Sequence, residues 1–107
     1  MNKNVVELNA TNFEQLTSKG NWAIDFWAEW CGPCKIMSPE FNKAAQELDG
    51  KVKFGKIDVD KEFELAQRFD VMSIPAIIIM KNGREVDRSV GAINKASIVS
   101  LINKAIK

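Results

Sequence analysis

Cys31 and Cys34 are the two cysteines of the chain, and they lie between an apolar run and a helical pattern. The run over residues 22–28 is apolar almost throughout, which is typical of a central strand covered on both faces. From about Pro33 to Leu48, apolar residues recur at helical spacing, and a proline suits the first turn of a helix. The cysteine pair therefore restricts the chain to folds in which a strand leads through a tight turn into a helix.

The other patterns predict the order β-α-β-α-β-α-β-β-α. Strands are expected over residues 5–8, 22–28, 52–60, 76–80 and 85–90, and helices begin near residues 11, 33, 62 and 94. Strand and helix alternate at first, which implies parallel pairing with helical crossovers. Asn82–Gly83 predicts a tight hairpin before the last strand, Thr11 with Glu14 fits a capping box for the first helix, and Asn94 is expected to cap the last one. One α/β domain over residues 1–107 follows.

Apolar spacing also groups side chains within the helices. Phe13 and Leu16 can share a face of the first helix, Ile36 and Met37 fit the helical spacing of the second, and Phe63, Ala66 and Phe69 lie near one face of the third. Pro39 falls inside the second helix, where proline removes one hydrogen bond and kinks the helix.

Histidine is absent from the chain, and this limits what the cysteine pair can do. With two cysteines and no histidine, one chain cannot complete a four-ligand zinc site. In a reducing compartment, a Cys-x-x-Cys pair is more often metal-binding or catalytic than a structural bridge. The readings that remain are a redox-active dithiol, an inert thiol pair, and half of a zinc site shared between two chains.

The redox reading follows from the position of the pair. The thiolate is the nucleophile in disulfide exchange, and Cys31 lies at the start of the predicted helix, where the helix dipole favours an anion. Cys34 follows one helical turn later, so the two sulfurs can meet. Cys31 would attack a partner disulfide, and Cys34 would resolve the mixed disulfide.

The charge balance gives no support for a polyanionic partner. Lys and Arg number 15 against 14 Asp and Glu, which leaves a formal net charge of +1. Neither a nucleic-acid footprint nor a polybasic membrane patch is indicated. No segment approaches the roughly 18 apolar residues of a transmembrane helix, and the start lacks the apolar run of a signal peptide. We therefore expect a cytoplasmic protein that binds neither nucleic acid nor membrane.

The string from Trp27 to Lys35, WAEWCGPCK, resembles the active-site signature of the thioredoxin family at nearly every position. Length, element order and several distant positions also match the family, namely Asp25, Pro39, Ile74–Pro75, Lys81–Gly83 and Gly91. The resemblance implies the thioredoxin fold, an α/β architecture with a central mixed five-stranded sheet flanked by four helices. It further implies a monomeric protein-disulfide reductase without a bound cofactor, which receives electrons from an NADPH-linked thioredoxin reductase and passes them to disulfide-containing proteins.

The same resemblance implies roles for residues around the pair. Asp25 would be a buried carboxylate that relays protons to and from Cys34, with Lys56 as its buried partner. From the residues alone, such an acid is either paired or raised in pKa, or it is a surface acid at a strand edge, and Lys56 could equally face solvent. Pro75 would be a cis proline facing the disulfide. The supporting residues would be Gly32, Pro33, Pro75 and the core residue Trp27.

A docking surface for extended polypeptide is implied around an exposed nucleophile. The matching positions are Trp30, Val59, Ile74, Pro75, Gly91 and Ala92. The backbone of Ile74 would pair with the substrate chain, whereas Val59 and Ala92 could be ordinary packing residues. The chain departs from the family's common pattern at Ala76, where threonine is usual, and at Ser73, where many members have glycine.

The Gly-Pro pair between the cysteines favours the reducing direction, because oxidants and isomerases of the same fold usually carry histidine there. The competing hypothesis is a redox-independent binding subunit that uses the same surface within a larger assembly.

Overall fold

The computed structural model describes residues 4–106, and the order of its elements is the predicted one. The strands are β1 (Val5–Glu7), β2 (Asn21–Trp27), β3 (Lys53–Asp58), β4 (Ala76–Lys81) and β5 (Arg84–Val90), and the helices are α1 (Phe13–Thr17), α2 (Gly32–Glu47), α3 (Phe63–Arg68) and α4 (Lys95–Ala105).

The five strands form one mixed sheet in the order β1-β3-β2-β4-β5. β3 pairs in parallel with β1 and with β2, as the alternation of strand and helix predicts. β4 runs antiparallel to β2 and to β5. The predicted fold class is therefore confirmed, and the central strand β2 is the one that leads into α2 at the cysteine pair.

Side chains that alternate along the strands give the sheet two apolar faces. Ala23 and Ile77 belong to the cluster that packs with α2 and α4. Ile24 and Ile78 belong to the cluster that packs with α1 and α3. Since Asp25 follows Ala23 by two positions, its side chain lies on the same face as α2.

Two local predictions are confirmed at the end of the chain. Asn82 and Gly83 connect β4 to β5 with φ angles of 50° and 83°, the left-handed conformation that a two-residue hairpin turn requires. Asn94 caps α4, because its Oδ1 accepts a hydrogen bond from the Ser97 amide at 2.9 Å.

The predicted start of α1 is wrong, because Thr11 does not cap the helix. The N-cap residue is Asn12, and its side chain makes no capping hydrogen bond. Instead, Asn9 Oδ1 accepts from the amides of Thr11 and Asn12, both at 2.9 Å, and Asn12 Oδ1 accepts from the Asn9 amide. These local side-chain bonds compete with the helix, so α1 begins only at Phe13.

Three apolar residues that fit the helical spacing are exposed, by 39% for Leu16, 72% for Ile36 and 64% for Phe63. The spacing alone does not decide which side chains each helix turns toward the sheet. In α1, for example, the buried pair is Phe13 and Thr17, four positions apart.

Candidate active site

Cys31 and Cys34 form a disulfide at the point where the chain enters α2. Cys31 is the N-cap residue of the helix, and its Sγ accepts a hydrogen bond from the Cys34 amide at 3.2 Å. The two Cα atoms are 5.3 Å apart, and Pro33 lies in the first helical turn. A negative charge on the Cys31 sulfur is therefore favoured by a backbone donor and by the helix dipole.

The disulfide is buried in its oxidised form, with only 4% of Cys31 and 2% of Cys34 exposed. The half-buried side chains of Trp27, Val59 and Ile74 pack against it. Because these neighbours cover the sulfurs, the expectation of an exposed nucleophile is wrong for this form of the protein.

Asp25 shares a small cavity of about 70 Å³ with Cys34, next to Trp27 and Lys56. The carboxyl is 4% exposed, and its Oδ1 makes no hydrogen bond within residues 4–106. Burial raises the pKa of Asp25 from 3.8 to about 7, although the positive charge of Lys56 opposes the rise. A carboxyl with a pKa near neutrality can both accept and release a proton at physiological pH.

Lys56 lies directly opposite Asp25 in the ladder between β2 and β3. The residue is half-buried, whereas the resemblance implies a buried lysine. Its ammonium makes no ion pair with Asp25 in the described part of the chain, but lies 4.6 Å from the centroid of the Trp27 ring. This cation–π contact holds the ammonium at the wall of the cavity, from which its charge acts on Asp25.

The Ile74–Pro75 peptide bond is cis, as the resemblance implies. Pro75 is buried, and its carbonyl accepts a hydrogen bond from the Gly91 amide at 2.8 Å. Ile74 packs against the cysteines, and its backbone groups have no hydrogen-bond partner in the described chain. The segment before β4 is thus joined to the end of β5 beside the disulfide.

The family model for thioredoxin matches residues 4–104. Thioredoxin of Bacillus subtilis is 42% identical over 100 residues, covering 94% of this chain and 96% of the relative. Thioredoxin of Mycoplasma pneumoniae is 44% identical over 91 residues, or 85% of this chain and 88% of the relative. The chain belongs to the thioredoxin family.

This thioredoxin-family chain is a thiol–disulfide oxidoreductase that reduces protein disulfides. The redox-active group is the pair of Cys31 and Cys34, which carries the electrons without a bound cofactor. Over residues 4–106, no three His, Cys, Asp or Glu side chains are grouped so as to hold a metal ion. No helix in that range has both the length and the apolar character needed to cross a membrane.

Trp30, one of the predicted docking residues, directly precedes Cys31 and is 70% exposed. Its Nε1 donates a hydrogen bond to Asp60 Oδ2 at 2.9 Å. Sequence reasoning missed Asp60, which lies beyond the end of β3. The signal was available, because β2 and β3 are predicted parallel and the carboxyl ends of parallel strands meet at one edge of a sheet. Of the other predicted positions, Val59 and Gly91 are half-buried and Ala92 is exposed.

A groove of about 410 Å³ begins at Val59, one of the predicted docking residues. It runs from Val59 along α3 to the segment before Ile74, with Phe63 and Met72 in its walls. Met72 is 86% exposed. Phe63 and Met72 are thus exposed apolar side chains of this groove that the sequence did not assign to docking.

Proposed function

We propose that Cys31 is the attacking cysteine and Cys34 the resolving one in the reduction of protein disulfides. The observation that carries this proposal is the start of α2, where the Cys31 sulfur accepts the hydrogen bond of the Cys34 amide. In the reduced protein, that donor and the helix dipole favour the thiolate at Cys31. Gly32 and Pro33 form the tight first turn that keeps both sulfurs within reach.

The two steps balance in atoms and electrons. The Cys31 thiolate attacks a sulfur of the target disulfide, so that a mixed disulfide forms and the second target sulfur leaves as a thiolate, which takes up a proton. Cys34 then loses its proton and attacks the Cys31 sulfur. The bond between Cys31 and Cys34 forms, the mixed disulfide breaks, and the target departs with two more electrons and two more protons.

Asp25 is the proposed acceptor of the Cys34 proton during the second step. Support comes from the cavity that the two side chains share and from the pKa of about 7 for Asp25. Lys56, held over the Trp27 ring, adds a positive charge that favours the ionised carboxylate.

The proposed docking face consists of residues around the disulfide, namely Trp30, Val59, Ile74, Pro75, Gly91 and Ala92. The unpaired backbone of Ile74 is its central element, because an extended substrate chain can add to it as a further strand. The alternative of a redox-independent binding subunit has no separate support, since the exposed residues of this face surround the disulfide itself.

We further propose that residues 1–107 form one domain that acts as a monomer in the cytoplasm. Disulfide-containing proteins would be its substrates, and an NADPH-linked thioredoxin reductase would restore the dithiol. Family membership supports these partners, and a reducing compartment keeps such a pair in its dithiol form. Sedimentation analysis and cell fractionation test the oligomeric state and the compartment.

The assignment of the two cysteines is tested by trapping. Cys34→Ser is expected to accumulate covalent complexes with disulfide-containing proteins, bound through Cys31 and released by added reductant, because the resolving thiol is missing. Cys31→Ser is the matched variant and is expected to trap none. Complexes joined through Cys34 in the Cys31→Ser variant would reverse the assignment.

A further inference from the structure

Arg88 of β5 lies outside the cysteine site. Its side chain makes three hydrogen bonds, two to Glu85 and one to the residue that follows α3. Its Nη2 donates a hydrogen bond to the Phe69 carbonyl at 2.8 Å. The same guanidinium binds both carboxylate oxygens of Glu85, with Nη2 at 2.8 Å from Oε1 and Nε at 2.5 Å from Oε2. The negative charge of Asp70 also acts on Arg88. Glu85 therefore fixes the guanidinium, and the guanidinium in turn fixes Phe69.

Phe69 is the C-cap residue of α3 and directly follows Arg68, its last residue. The last carbonyls of a helix have no partner within the helix, and Arg88 supplies the partner for this one. Asp70 follows with a positive φ of 55°, and the chain then turns toward Ile74. The contact of Arg88 is thus made at the point where the segment that carries the docking backbone begins.

The segment between Phe69 and Pro75 makes few backbone hydrogen bonds. The amides of Asp70 and Val71 donate to carbonyls of α3 at 3.0 and 2.9 Å. Met72 and Ser73 are exposed and make no backbone hydrogen bond in the described chain. At its far end, the Pro75 carbonyl accepts from Gly91, which directly follows β5. β5 and the residue after it therefore hold both ends of the segment over residues 69–75.

We infer that Arg88 is a positioning residue for substrate docking. By holding the end of α3 against β5, it fixes the place of the unpaired Ile74 backbone and of the groove wall at Met72 relative to the disulfide. A lysine could not replace it, because one ammonium group lacks the planar fork that binds Glu85 at two points. This inference rests on the proposed docking at Ile74.

The test compares Arg88→Met with Arg84→Met, which removes the same charge from an exposed position of the same strand. Steady-state reduction of insulin is measured beside reduction of 5,5′-dithiobis(2-nitrobenzoate), a small disulfide that needs no extended docking. For Arg88→Met, the KM for insulin is expected to rise about 3- to 10-fold, the size of the loss of one hydrogen bond of ordinary strength. The kcat and the rate with the small disulfide stay unchanged, and Arg84→Met behaves like the parent protein.

Amide hydrogen exchange separates positioning from a general loss of stability. In Arg88→Met, the amides of Asp70 and Val71 are expected to exchange faster, whereas those of α4 keep their rates. An unchanged KM for insulin overturns the inference, and so does an equal loss of rate on both substrates with faster exchange throughout. Trp30→Ala tells the two proposals apart. If it raises the KM while Arg88→Met does not, only the inference about Arg88 fails, and if neither variant raises it, the docking face fails too.

Discussion

Asp25 is the residue whose surroundings alter its chemistry most. Its pKa is about 7 in the folded protein against 3.8 for an ordinary aspartate, because burial disfavours the charged form. Between these pH values the folded chain binds more protons than the unfolded chain, so stability falls as the pH rises from about 4 to about 7. Above that window the protein carries the whole penalty of a buried carboxylate.

Asp25→Asn is therefore expected to raise the stability of the protein and also to lower its turnover. At pH 8 the free energy of unfolding should rise by up to about 4 kcal/mol, since one pKa unit corresponds to about 1.4 kcal/mol. Near pH 4 the gain should disappear. Urea unfolding across this pH range measures the effect, with Asp49→Asn, an exposed aspartate, as the control. A gain of the same size at pH 4 and pH 8 would contradict the raised pKa.

Turnover of the same variant should fall, because the amide cannot accept the proton of Cys34. The loss should be largest at neutral pH and below, and should shrink at higher pH, where hydroxide deprotonates the thiol directly. Insulin reduction followed from pH 6 to pH 9 provides the profile. A rate equal to that of the parent protein at pH 7 would remove Asp25 from the proton path.

Single residues of the site could be predicted from the sequence where their role depends on a local pattern, and not where it depends on contacts between distant parts of the chain. The proposed roles of Cys31 and Cys34 follow from their spacing and from the strand and helix around them. Asp25 and Pro75 were predicted only by resemblance, because burial of an acid and a cis peptide bond both depend on contacts distant in sequence. The place of Lys56 over Trp27 was not predicted, since a cation–π contact leaves no local pattern.

At the scale of elements, strands were predicted better than helix faces. β4 is a continuous apolar run, and the structure buries it from Ala76 to Met80. Ile36 and Phe63 fit the apolar spacing of their helices but face solvent. Short helices such as α3 carry too few turns for the spacing to fix their rotation, which is set by packing against the sheet. Of these two exposed side chains, Phe63 lines the groove that begins at Val59.

Asn94 offers a direct test of how the last helix begins. Its side chain satisfies the Ser97 amide, which otherwise has no partner in the first turn of α4. Asn94→Ala should lower the free energy of unfolding by about 1 kcal/mol. Asn103→Ala, at an exposed position inside the same helix, is the control and should be neutral or slightly stabilising in urea unfolding. Equal effects of the two substitutions would show that the cap contributes nothing.

At the scale of the molecule, the sheet order brings the parts of the site together. β2 lies at the centre, so its end, the start of α2 and the segment before β4 meet around one disulfide. Alternation of strand and helix predicted the parallel pairs, and Asn82–Gly83 predicted the hairpin. The antiparallel pairing of β2 with β4 has no such signal, because two strands that are apolar on both faces can pair in either direction.

The central claim is that this fold passes electrons from its dithiol to the disulfides of other proteins. The equilibrium potential of the Cys31–Cys34 couple, measured against glutathione, tests it most directly. We expect about −270 mV, the value typical of thioredoxins as a class. At that potential the protein reduces disulfides whose own reduction potential is higher. A potential near about −180 mV, as in protein disulfide isomerase, would contradict the claim, because electrons would then flow toward this pair and not away from it.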